Sequence, residues 1–288
     1  MTLKARISSD VIPLAPKTDG LFPQLEREAD AVLRGSPELA GLILRTVRAA
    51  VTFEDAVARR VARRLADRDL PFEILHDTFG AAFRDDASIA PAIHADAVAV
   101  AERDPAATRL IEPLLFFKGF HAIQAHRLAH WLWLNGRRDF ALYLQSRSSE
   151  VFQTDIHPAA QFGRGIFLDH ATGLVVGETA VVEDNVSILH GVTLGGTGKA
   201  DGDRHPKIRS GVLISAGAKI LGPIEIGSCA RIAAGSVVLR AVAPDTTVAG
   251  VPARPVGKSV TTTRGSEPAR EMEQTLSREA YEAFNYVI

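Results

Sequence analysis

The chain has 288 residues, of which 46% are hydrophobic and 23% charged, a balance typical of globular proteins that excludes a largely disordered chain. The formal net charge of −1 argues against an overall basic field of the kind that attracts nucleic acid. The single cysteine, Cys229, excludes internal disulfides and a cysteine-rich metal site, and fits a reducing compartment.

Residues 1–20 are predicted to form a flexible leader, because they mix charged residues with prolines and contain no apolar signal-peptide core. No apolar run in the chain is long enough to span a bilayer. We therefore expect a cytoplasmic protein that binds neither membrane nor nucleic acid.

Residues 21–152 show helical periodicity and are predicted to form an all-α domain of seven or eight short helices. Capping residues before a proline or an acidic first turn predict helix starts at Ser36, Thr52 and Asp104. The last two helices are predicted at 118–135 and near 137–150.

Three histidines, His121, His126 and His130, lie in the first of these two helices. Two of them are four residues apart, as metal ligands on one helix face can be. No acidic residue or thiolate completes a ligand set, so packing and hydrogen bonding are the favoured interpretation.

Residues 153–257 repeat with a period of six, which is the period of neither an ordinary strand nor a helix. Such a repeat predicts short strands stacked into a parallel β-helix, with one large aliphatic residue per hexapeptide pointing inward. The predicted inward residues are Ile156, Phe162, Leu168, Leu174, Val182, Ile188, Leu194, Ile208, Ile214, Ile220, Ile226, Ile232 and Val238. The series slips by two residues between Leu174 and Val182.

A second interruption separates Leu194 from Ile208, where fourteen residues stand in place of six or twelve. The excess is polar and glycine-rich and carries Arg204 and His205, so we predict a loop that leaves the solenoid. The predicted fold class is therefore α+β with two domains, an N-terminal helical domain and a left-handed parallel β-helix of hexapeptide repeats with one extruded loop. A C-terminal tail is predicted at 258–288.

Acidic and histidine side chains occupy predicted corners of the solenoid where small residues are usual, most clearly at Asp169 and His170. His170 follows Asp155 by fifteen residues, and one turn takes about eighteen, so the two side chains can lie one layer apart on the same side. A carboxylate so placed can fix the tautomer of an imidazole. The alternative is that Asp155 caps the first coil and His170 is a solvated surface residue.

Several segments together resemble bacterial serine O-acetyltransferases, members of the hexapeptide-repeat acyltransferase superfamily. In the solenoid half they are Leu168-Asp-His-Ala-Thr-Gly173, Val176-Gly-Glu-Thr179, Val192-Thr-Leu-Gly-Gly-Thr-Gly198, Asp203-Arg-His-Pro-Lys-Ile208 and Ala249-Gly-Val-Pro-Ala253. In the helical half they are Arg103-Asp-Pro-Ala106 and Leu115-Phe-Phe-Lys-Gly-Phe-His121. The resemblance implies transfer of an acetyl group from acetyl-CoA to the hydroxyl of L-serine, the first step of cysteine synthesis from serine.

The resemblance implies catalytic roles for three residues. His170 would be the general base that removes the serine hydroxyl proton, with Asp155 as its orienting partner. His205 would be a second active-site histidine that contacts serine and stabilises the transition state. Transfer would be direct, without an acyl-enzyme. No metal and no permanently bound cofactor is expected, because acetyl-CoA already carries an activated acyl group.

Four further residues are implied in binding L-serine. Arg204 would hold the carboxylate of serine, and Asp104 and Asp169 its ammonium. Glu178 is placed in the same substrate site. Asp104 also has the alternative role of a helix cap.

Coenzyme A is implied to lie along the solenoid, in a groove between neighbouring subunits of a trimer or a dimer of trimers. The implied contacts are Gly196, Ala216 and Ala234 for the pantetheine and Arg231 and Lys219 for the phosphates. Arg231 and Lys219 could equally be solvated corner charges.

Other functions remain open at this point. Acetyl transfer to homoserine, a sugar or a xenobiotic alcohol would use the same solenoid, although Asp104 and Asp169 favour an acceptor with an ammonium. A zinc hydratase of the γ-carbonic anhydrase type needs three histidines, and Ser210 follows His205 where another ligand would be needed. A scaffold without activity would leave the gathered histidines and arginine unexplained.

The chain ends in Phe284-Asn-Tyr-Val-Ile288. The resemblance implies that Ile288 inserts into the active site of O-acetylserine sulfhydrylase (cysteine synthase), the next enzyme. The alternative is that these apolar residues fold back on the chain's own surface. L-Cysteine shares the ammonium and carboxylate of serine and is the expected feedback inhibitor.

Overall fold

The computed structural model describes residues 20–198, 201–259 and 267–276. The leader predicted at residues 1–20 lies outside these ranges except for its last residue, and so do Phe284, Tyr286 and Ile288. Within the described ranges, a helical half is followed by a parallel β-solenoid, which confirms the predicted fold class. None of the described helices is long and apolar enough to cross a membrane.

Eight α-helices precede the solenoid in the described part of the chain. They are α1 (Leu21–Gly35), α2 (Ala40–Ile43), α3 (Phe53–Leu65), α4 (Phe72–Asp85), α5 (Ile89–Arg103), α6 (Ile111–Phe116), α7 (Lys118–Leu134) and α8 (Arg138–Phe152). Thr52 caps α3 as predicted, since its hydroxyl accepts a hydrogen bond from the amide of Asp55 at 3.2 Å. Ser36 precedes a short 3-10 turn, Pro37–Leu39, and its side chain makes no capping bond.

The helix start predicted at Asp104 is wrong. Asp104 directly follows α5, and its carboxylate accepts a hydrogen bond from the amide of Ala106 at 2.8 Å. A bond to the amide two residues on closes a turn rather than a helix, which is why the pattern before a proline misleads here. The next helix begins at Ile111.

The three histidines of α7 are hydrogen-bonded to backbone, in agreement with the packing interpretation. Their partners are the carbonyl oxygens of Leu114, Ala160 and Pro158, at 2.7, 3.1 and 2.7 Å from His121, His126 and His130 respectively. Burial lowers the pKa of His121 to about 3 and that of His126 well below its ordinary value. Both are therefore neutral, and His126 and His130 join the helices to the first coil.

Fourteen of the fifteen described strands form the three parallel faces of the solenoid. The first face contains β1 (Thr154–Ile156), β4 (Leu174–Val176), β7 (Thr193–Gly195), β10 (Lys219–Leu221) and β13 (Val237–Val238). The second contains β2 (Gln161–Phe162), β5 (Val181–Val182), β8 (Lys207–Ile208) and β11 (Glu225–Ile226). The third contains β3 (Phe167–Leu168), β6 (Ser187–Ile188), β9 (Leu213–Ile214), β12 (Arg231–Ile232) and β14 (Thr246–Gly250). The remaining strand, β15 (Ala253–Lys258), pairs antiparallel with β14 and ends the solenoid.

The predicted inward residues are buried, apart from Phe162, which is half-buried. Their register corrects one expectation. Ile156 stacks on Val176, and Val176 on Leu194, so the inward residue of β4 is Val176, with Leu174 stacked on Thr154. The two extra residues therefore lie before β4, at the corner that carries His170, and not between Leu174 and Val182. Leu174 misleads because it is also aliphatic and follows Leu168 by six residues.

The helical half and the solenoid interlock. Ile123 of α7 packs in the solenoid core, and Phe167 of β3 packs in the helical core. A Cβ at Gly119 would overlap the carbonyl oxygen of Leu168, so only glycine allows α7 to approach the solenoid this closely.

A short C-terminal segment lies on the third face. We call residues 267–276, which include α9 (Pro268–Glu271), the clasp. Its Ala269 is fully buried, and the Ala269 carbonyl accepts a hydrogen bond from Ser187 at 2.7 Å. Arg270 contacts Glu102 of α5 at 3.3 Å. The clasp therefore bridges the two halves, within the segment that the sequence predicts as a tail.

Candidate active site

The two extra residues of the first coil are His170 and Ala171, and both have left-handed backbones, with φ of 55° and 58°. For residues other than glycine such conformations cost about 1–3 kcal/mol each, and they persist where surrounding structure fixes them. Ala171 is fully buried, whereas the His170 side chain is 75% exposed. The insertion therefore places the His170 imidazole outside the solenoid, at a corner whose backbone is held by its surroundings.

Two carboxylates and a second imidazole lie at this corner. The His170 ring is 6.0 Å from the ring of His190, and its Nε2 is 3.7 Å from Oδ1 of Asp169. Burial raises the pKa of Asp169; the nearby charge of Asp104 raises it further, and His170 and His190 oppose the shift. Two neighbouring carboxylates repel each other, and a bound cation would relieve that repulsion. We call this group the His170 corner.

Asp155 and His170 are not hydrogen-bonded to each other in the described chain. Asp155 lies at the centre of β1, and its Oδ1 accepts a hydrogen bond from Gln145 of α8 at 2.6 Å. The expected pair was inferred from spacing within one turn, and the two-residue insertion changes that spacing.

His205 lies at the other end of the first face, where the extruded loop returns to the solenoid. It is 7% exposed, and its ring packs on Gly177, where a Cβ would overlap it. Its Nδ1 accepts a hydrogen bond from the amide of Thr179 at 3.2 Å and lies 2.9 Å from the Thr179 hydroxyl. Because Nδ1 accepts from an amide, the neutral ring carries its proton on Nε2. Burial and the charges of Arg204 and Lys207 lower the pKa of His205.

The loop around His205 is held by polar contacts. The Thr179 hydroxyl oxygen accepts from the amides of Arg204 and His205 at 3.0 and 3.1 Å. The ammonium of Lys207 donates to the carbonyls of Thr179 and His205 at 2.7 and 2.9 Å. Arg204 pairs with Glu178 at 2.5 Å, and this bond holds the pKa of Glu178 below its usual range. We call this group the loop corner.

The two corners are separate within one chain. The strands of the first face lie between them, and three residues at about 3.3 Å each set them roughly 10 Å or more apart. The His170 corner offers a base and carboxylates, whereas the loop corner offers an arginine and a donor imidazole.

The residues expected to contact coenzyme A divide between the corners. Gly196 lies at the loop corner, where a Cβ would be 3.4 Å from the carbonyl oxygen of Arg204. Ala216 and Ala234 continue the His170 corner along the axis, since the amide of Gly235 donates to the Ala216 carbonyl at 2.8 Å. The ammonium of Lys219 donates to the carbonyl of Gly191 on that same column.

Arg231 lies away from both corners, and its surroundings do not support the expected contact with a coenzyme phosphate. It projects from the third face, is 7% exposed and donates to the carbonyl of Glu273 at 2.8 Å. The clasp covers it. Hexapeptide periodicity identifies which residues point outward but not what covers them.

Some residues of the site had no role assigned from the sequence. Thr179 and Lys207 lie within the motifs that carry Glu178, Arg204 and His205, and His190 lies outside the quoted motifs. Within the described ranges, no group of three or more histidine, cysteine, aspartate or glutamate side chains is arranged to hold a metal ion.

Two family models match the chain. "Serine acetyltransferase, N-terminal" matches residues 21–125, and "Bacterial transferase hexapeptide (six repeats)" matches residues 205–240. Among curated proteins, the serine acetyltransferase of Salmonella typhimurium is 51% identical over 255 residues, covering 88% of this chain and 92% of that protein. The serine acetyltransferase of Haemophilus influenzae is 46% identical over 254 residues, covering 88% of this chain and 94% of that protein.

Solved structures give the same family. A Brucella abortus serine acetyltransferase, crystallised with coenzyme A, is 57% identical with a TM-score of 0.83, covering 85% of this chain and 98% of that one. A serine acetyltransferase in complex with cysteine is 45% identical with a TM-score of 0.86, covering 90% of this chain and 100% of that one.

Proposed function

Because the chain belongs to the serine acetyltransferase family, we propose that its two solenoid corners share the chemistry of serine acetylation. The chain is an acyltransferase that moves an acetyl group from acetyl-CoA to the hydroxyl of L-serine, giving O-acetyl-L-serine and CoA. This reaction begins cysteine biosynthesis from serine. The observation that supports this assignment of roles is that two groups of polar side chains, the His170 corner and the loop corner, lie at opposite ends of the first face.

His170 is the proposed general base. A serine hydroxyl is a poor nucleophile at neutral pH, and an imidazole within reach can take its proton as the oxygen attacks. The exposure of the ring on a strained corner supports this role. Asp155 keeps its proposed orienting role through Oδ2, since Gln145 occupies only Oδ1.

The substrate amino acid is proposed to bridge the corners. Asp104 and Asp169 receive its ammonium, which offsets the repulsion between the two carboxylates. Arg204 holds its carboxylate through donors that Glu178 leaves free, because a guanidinium has five N–H groups. Glu178 belongs to the same substrate site and orients Arg204.

His205 is proposed to stabilise the oxyanion. Thr179 keeps its neutral ring in the tautomer with a proton on Nε2, which is a hydrogen-bond donor. Donors aimed at the developing charge before the reaction begins lower the barrier, and removing one typically costs about 10²–10³ in rate.

The proposed reaction needs no reactant besides serine and acetyl-CoA. His170 accepts the hydroxyl proton as the serine oxygen forms a bond to the thioester carbonyl carbon. The tetrahedral oxyanion, held by His205, collapses and breaks the carbon–sulfur bond. The CoA thiolate leaves with the proton from His170, so no acyl-enzyme forms.

Neighbouring subunits are proposed to complete the site. If the His170 corner of one subunit faces the loop corner of the next, both walls of a coenzyme groove are present. Ala216, Ala234 and Lys219 then line one wall, and Gly196 lines the other. We propose a trimer or a dimer of trimers on this ground.

L-Cysteine is proposed to bind the same place as L-serine, since a relative was solved with cysteine and both ligands carry the same charged groups. It should compete with serine, and Arg204→Ala should weaken both ligands together. Noncompetitive inhibition that survives the substitution would assign cysteine to another site.

A thiol-release assay with acetyl-CoA tests the substrate assignment. The purified protein is given L-serine, L-homoserine, L-threonine or a sugar at equal concentration. We expect the highest kcat/KM for L-serine, because a sugar lacks both charged groups, and homoserine and threonine carry an additional carbon beside the reacting hydroxyl. Equal turnover of a sugar would refute the assignment.

Ile288, outside the described residues, is proposed to bind O-acetylserine sulfhydrylase, as an apolar terminal residue with a free carboxylate suits capture by a cleft of backbone donors. Deleting Ile288 should abolish co-elution with the sulfhydrylase and leave acetyl transfer unchanged. Co-elution of the truncated protein would contradict this. We propose the cytoplasm as the compartment, in line with the single free thiol.

A further inference from the structure

Lys118, the first residue of α7, reaches from the helical half to the His170 corner. Its ammonium donates to Oε1 of Gln153 at 3.2 Å and to the hydroxyl of Thr172. Gln153 is the single residue between α8 and β1, and Thr172 directly follows the insertion. One cation thus ties together three segments that meet at this corner.

Contacts on both sides of the His170–Ala171 insertion hold its backbone in place. On one side of the insertion, Gly119 packs on the carbonyl of Leu168, and Ala171 is fully buried. On the other side, the amide of Gly173 donates to the carbonyl of Gln153 at 2.8 Å, and Lys118 bonds the side chains of Gln153 and Thr172. The His170 ring makes no hydrogen bond in the described chain, so the position of the backbone on either side decides whether the ring can reach Asp155 and the substrate.

We propose that Lys118 is a positioning residue for the acetyl-transfer reaction, holding the His170–Ala171 insertion so that the imidazole faces the reacting hydroxyl. The proposal rests on the proposed role of His170 as the base. Lysine suits the task because its three donors can serve two acceptors of different geometry at once. Methionine has a stem of similar length and no donor, whereas arginine keeps the charge and several donors in a planar arrangement.

The test compares steady-state kinetics of Lys118→Met and Lys118→Arg with a matched control, Lys258→Met, at an exposed strand end. We expect Lys118→Met to lower kcat about tenfold or more, because small misplacements of a catalytic group are costly, with the KM for acetyl-CoA within about twofold. Lys118→Arg should recover much of kcat, and Lys258→Met should match the unaltered protein. An unchanged kcat in Lys118→Met would overturn the proposal.

A double-substitution series separates positioning from general stability. Thr172→Val should lower kcat, and the pair Lys118→Met with Thr172→Val should be no worse than the stronger single change, since both remove one contact. In a His170→Asn background, Lys118→Met should cause no further loss of the residual rate. A further loss there, or additive losses in the pair, would mean that Lys118 acts elsewhere.

The same variants test the base role of His170 and the positioning role of Lys118 separately. Full activity of His170→Asn would refute the base assignment itself. An inactive His170→Asn beside a normal Lys118→Met would leave the base in place and refute only the positioning role. Equal melting temperatures for Lys118→Met and the unaltered protein show that the lost rate does not come from unfolding.

Discussion

Thr179 holds both the ring and the backbone of His205 in place through hydrogen bonds. It contacts no reacting atom in the proposed mechanism. One hydroxyl accepts from two loop amides and lies against Nδ1, to which the Thr179 amide also donates. Thr179, 26 residues earlier in the chain, therefore decides which ring nitrogen of His205 carries the proton, chiefly through its amide. The choice of tautomer matters because only Nε2 is left to meet a substrate.

Replacing Thr179 by valine should lower kcat about tenfold, since the ring loses a donor and the loop loses an acceptor for two amides. Serine at this position keeps the hydroxyl and should retain most of the rate. Steady-state thiol release measures both, with the KM for acetyl-CoA expected to change little. Equal rates for Thr179→Val and Thr179→Ser would show that the hydroxyl does not position His205.

His170, Arg204 and His205 could be proposed from the sequence because each stands in a distinctive motif. Their partners were less accessible. Arg231 has the same outward register as Lys219 in the repeat, yet Arg231 is covered by the clasp, whereas Lys219 bonds the Gly191 carbonyl beside the His170 corner. A six-residue repeat shows which side chains face the core and which face outward. It does not show that Arg231 is covered, because the covering residues lie some 40 positions later in the sequence.

At the scale of elements, the aliphatic period of six predicted the stacking, because each inward side chain must sit on the one a coil below it. The two places where the period fails were also visible. The extruded loop was located correctly, since its excess is polar. The insertion at His170 was assigned one repeat too late, because Leu168 and Leu174 preserve the spacing while the backbone between them does not.

Asp96 of α5 anchors the helices to the first coil. Its Oδ1 accepts from the amide of Ile166 at 2.9 Å, and its Oδ2 accepts from Arg127 at 2.7 Å and from Gln124 at 3.0 Å. Burial raises the pKa of Asp96, and the charge of Arg127 opposes that shift. Such a pair is costly to break because one charge remains buried.

Asp96→Ala should lower the free energy of unfolding by about 3–5 kcal/mol, since Arg127 and the Ile166 amide lose their acceptor. Urea denaturation provides the measurement. Glu26→Gln, which removes an exposed contact with Arg48 at 3.5 Å, is the control and should cost less than about 1 kcal/mol. Equal losses from the two changes would mean that Asp96 is not an anchor.

For the whole molecule, the separation of the corners predicts that activity depends on contact between neighbouring chains. A heterologous contact repeated around a closed ring gives one complete site at each junction. This arrangement is open to a test of complementation, because a chain defective at one corner still carries the other corner intact.

Mixed trimers of His170→Ala and His205→Ala chains should regain activity. At equal amounts and with random exchange, about a quarter of the junctions combine two intact corners, which sets the expected recovery. His170→Ala mixed with Arg204→Ala should recover equally, whereas His205→Ala mixed with Arg204→Ala should not, since both changes lie at the loop corner. No recovery after verified exchange would place both corners of a site in one chain.

The clasp gives the molecule an order of assembly during synthesis. The coils of the solenoid can fold one upon another as they leave the ribosome, because each needs only its predecessor. The contact between Arg270 and Glu102 spans 168 residues and waits for the chain to be made through α9. Until then Arg103, the buried Ser187 and Arg231 of the third face lack the cover that hides them in the native protein. The part of the seam that the clasp covers therefore closes last, and a nascent chain interrupted before residue 267 leaves these buried polar side chains open to solvent.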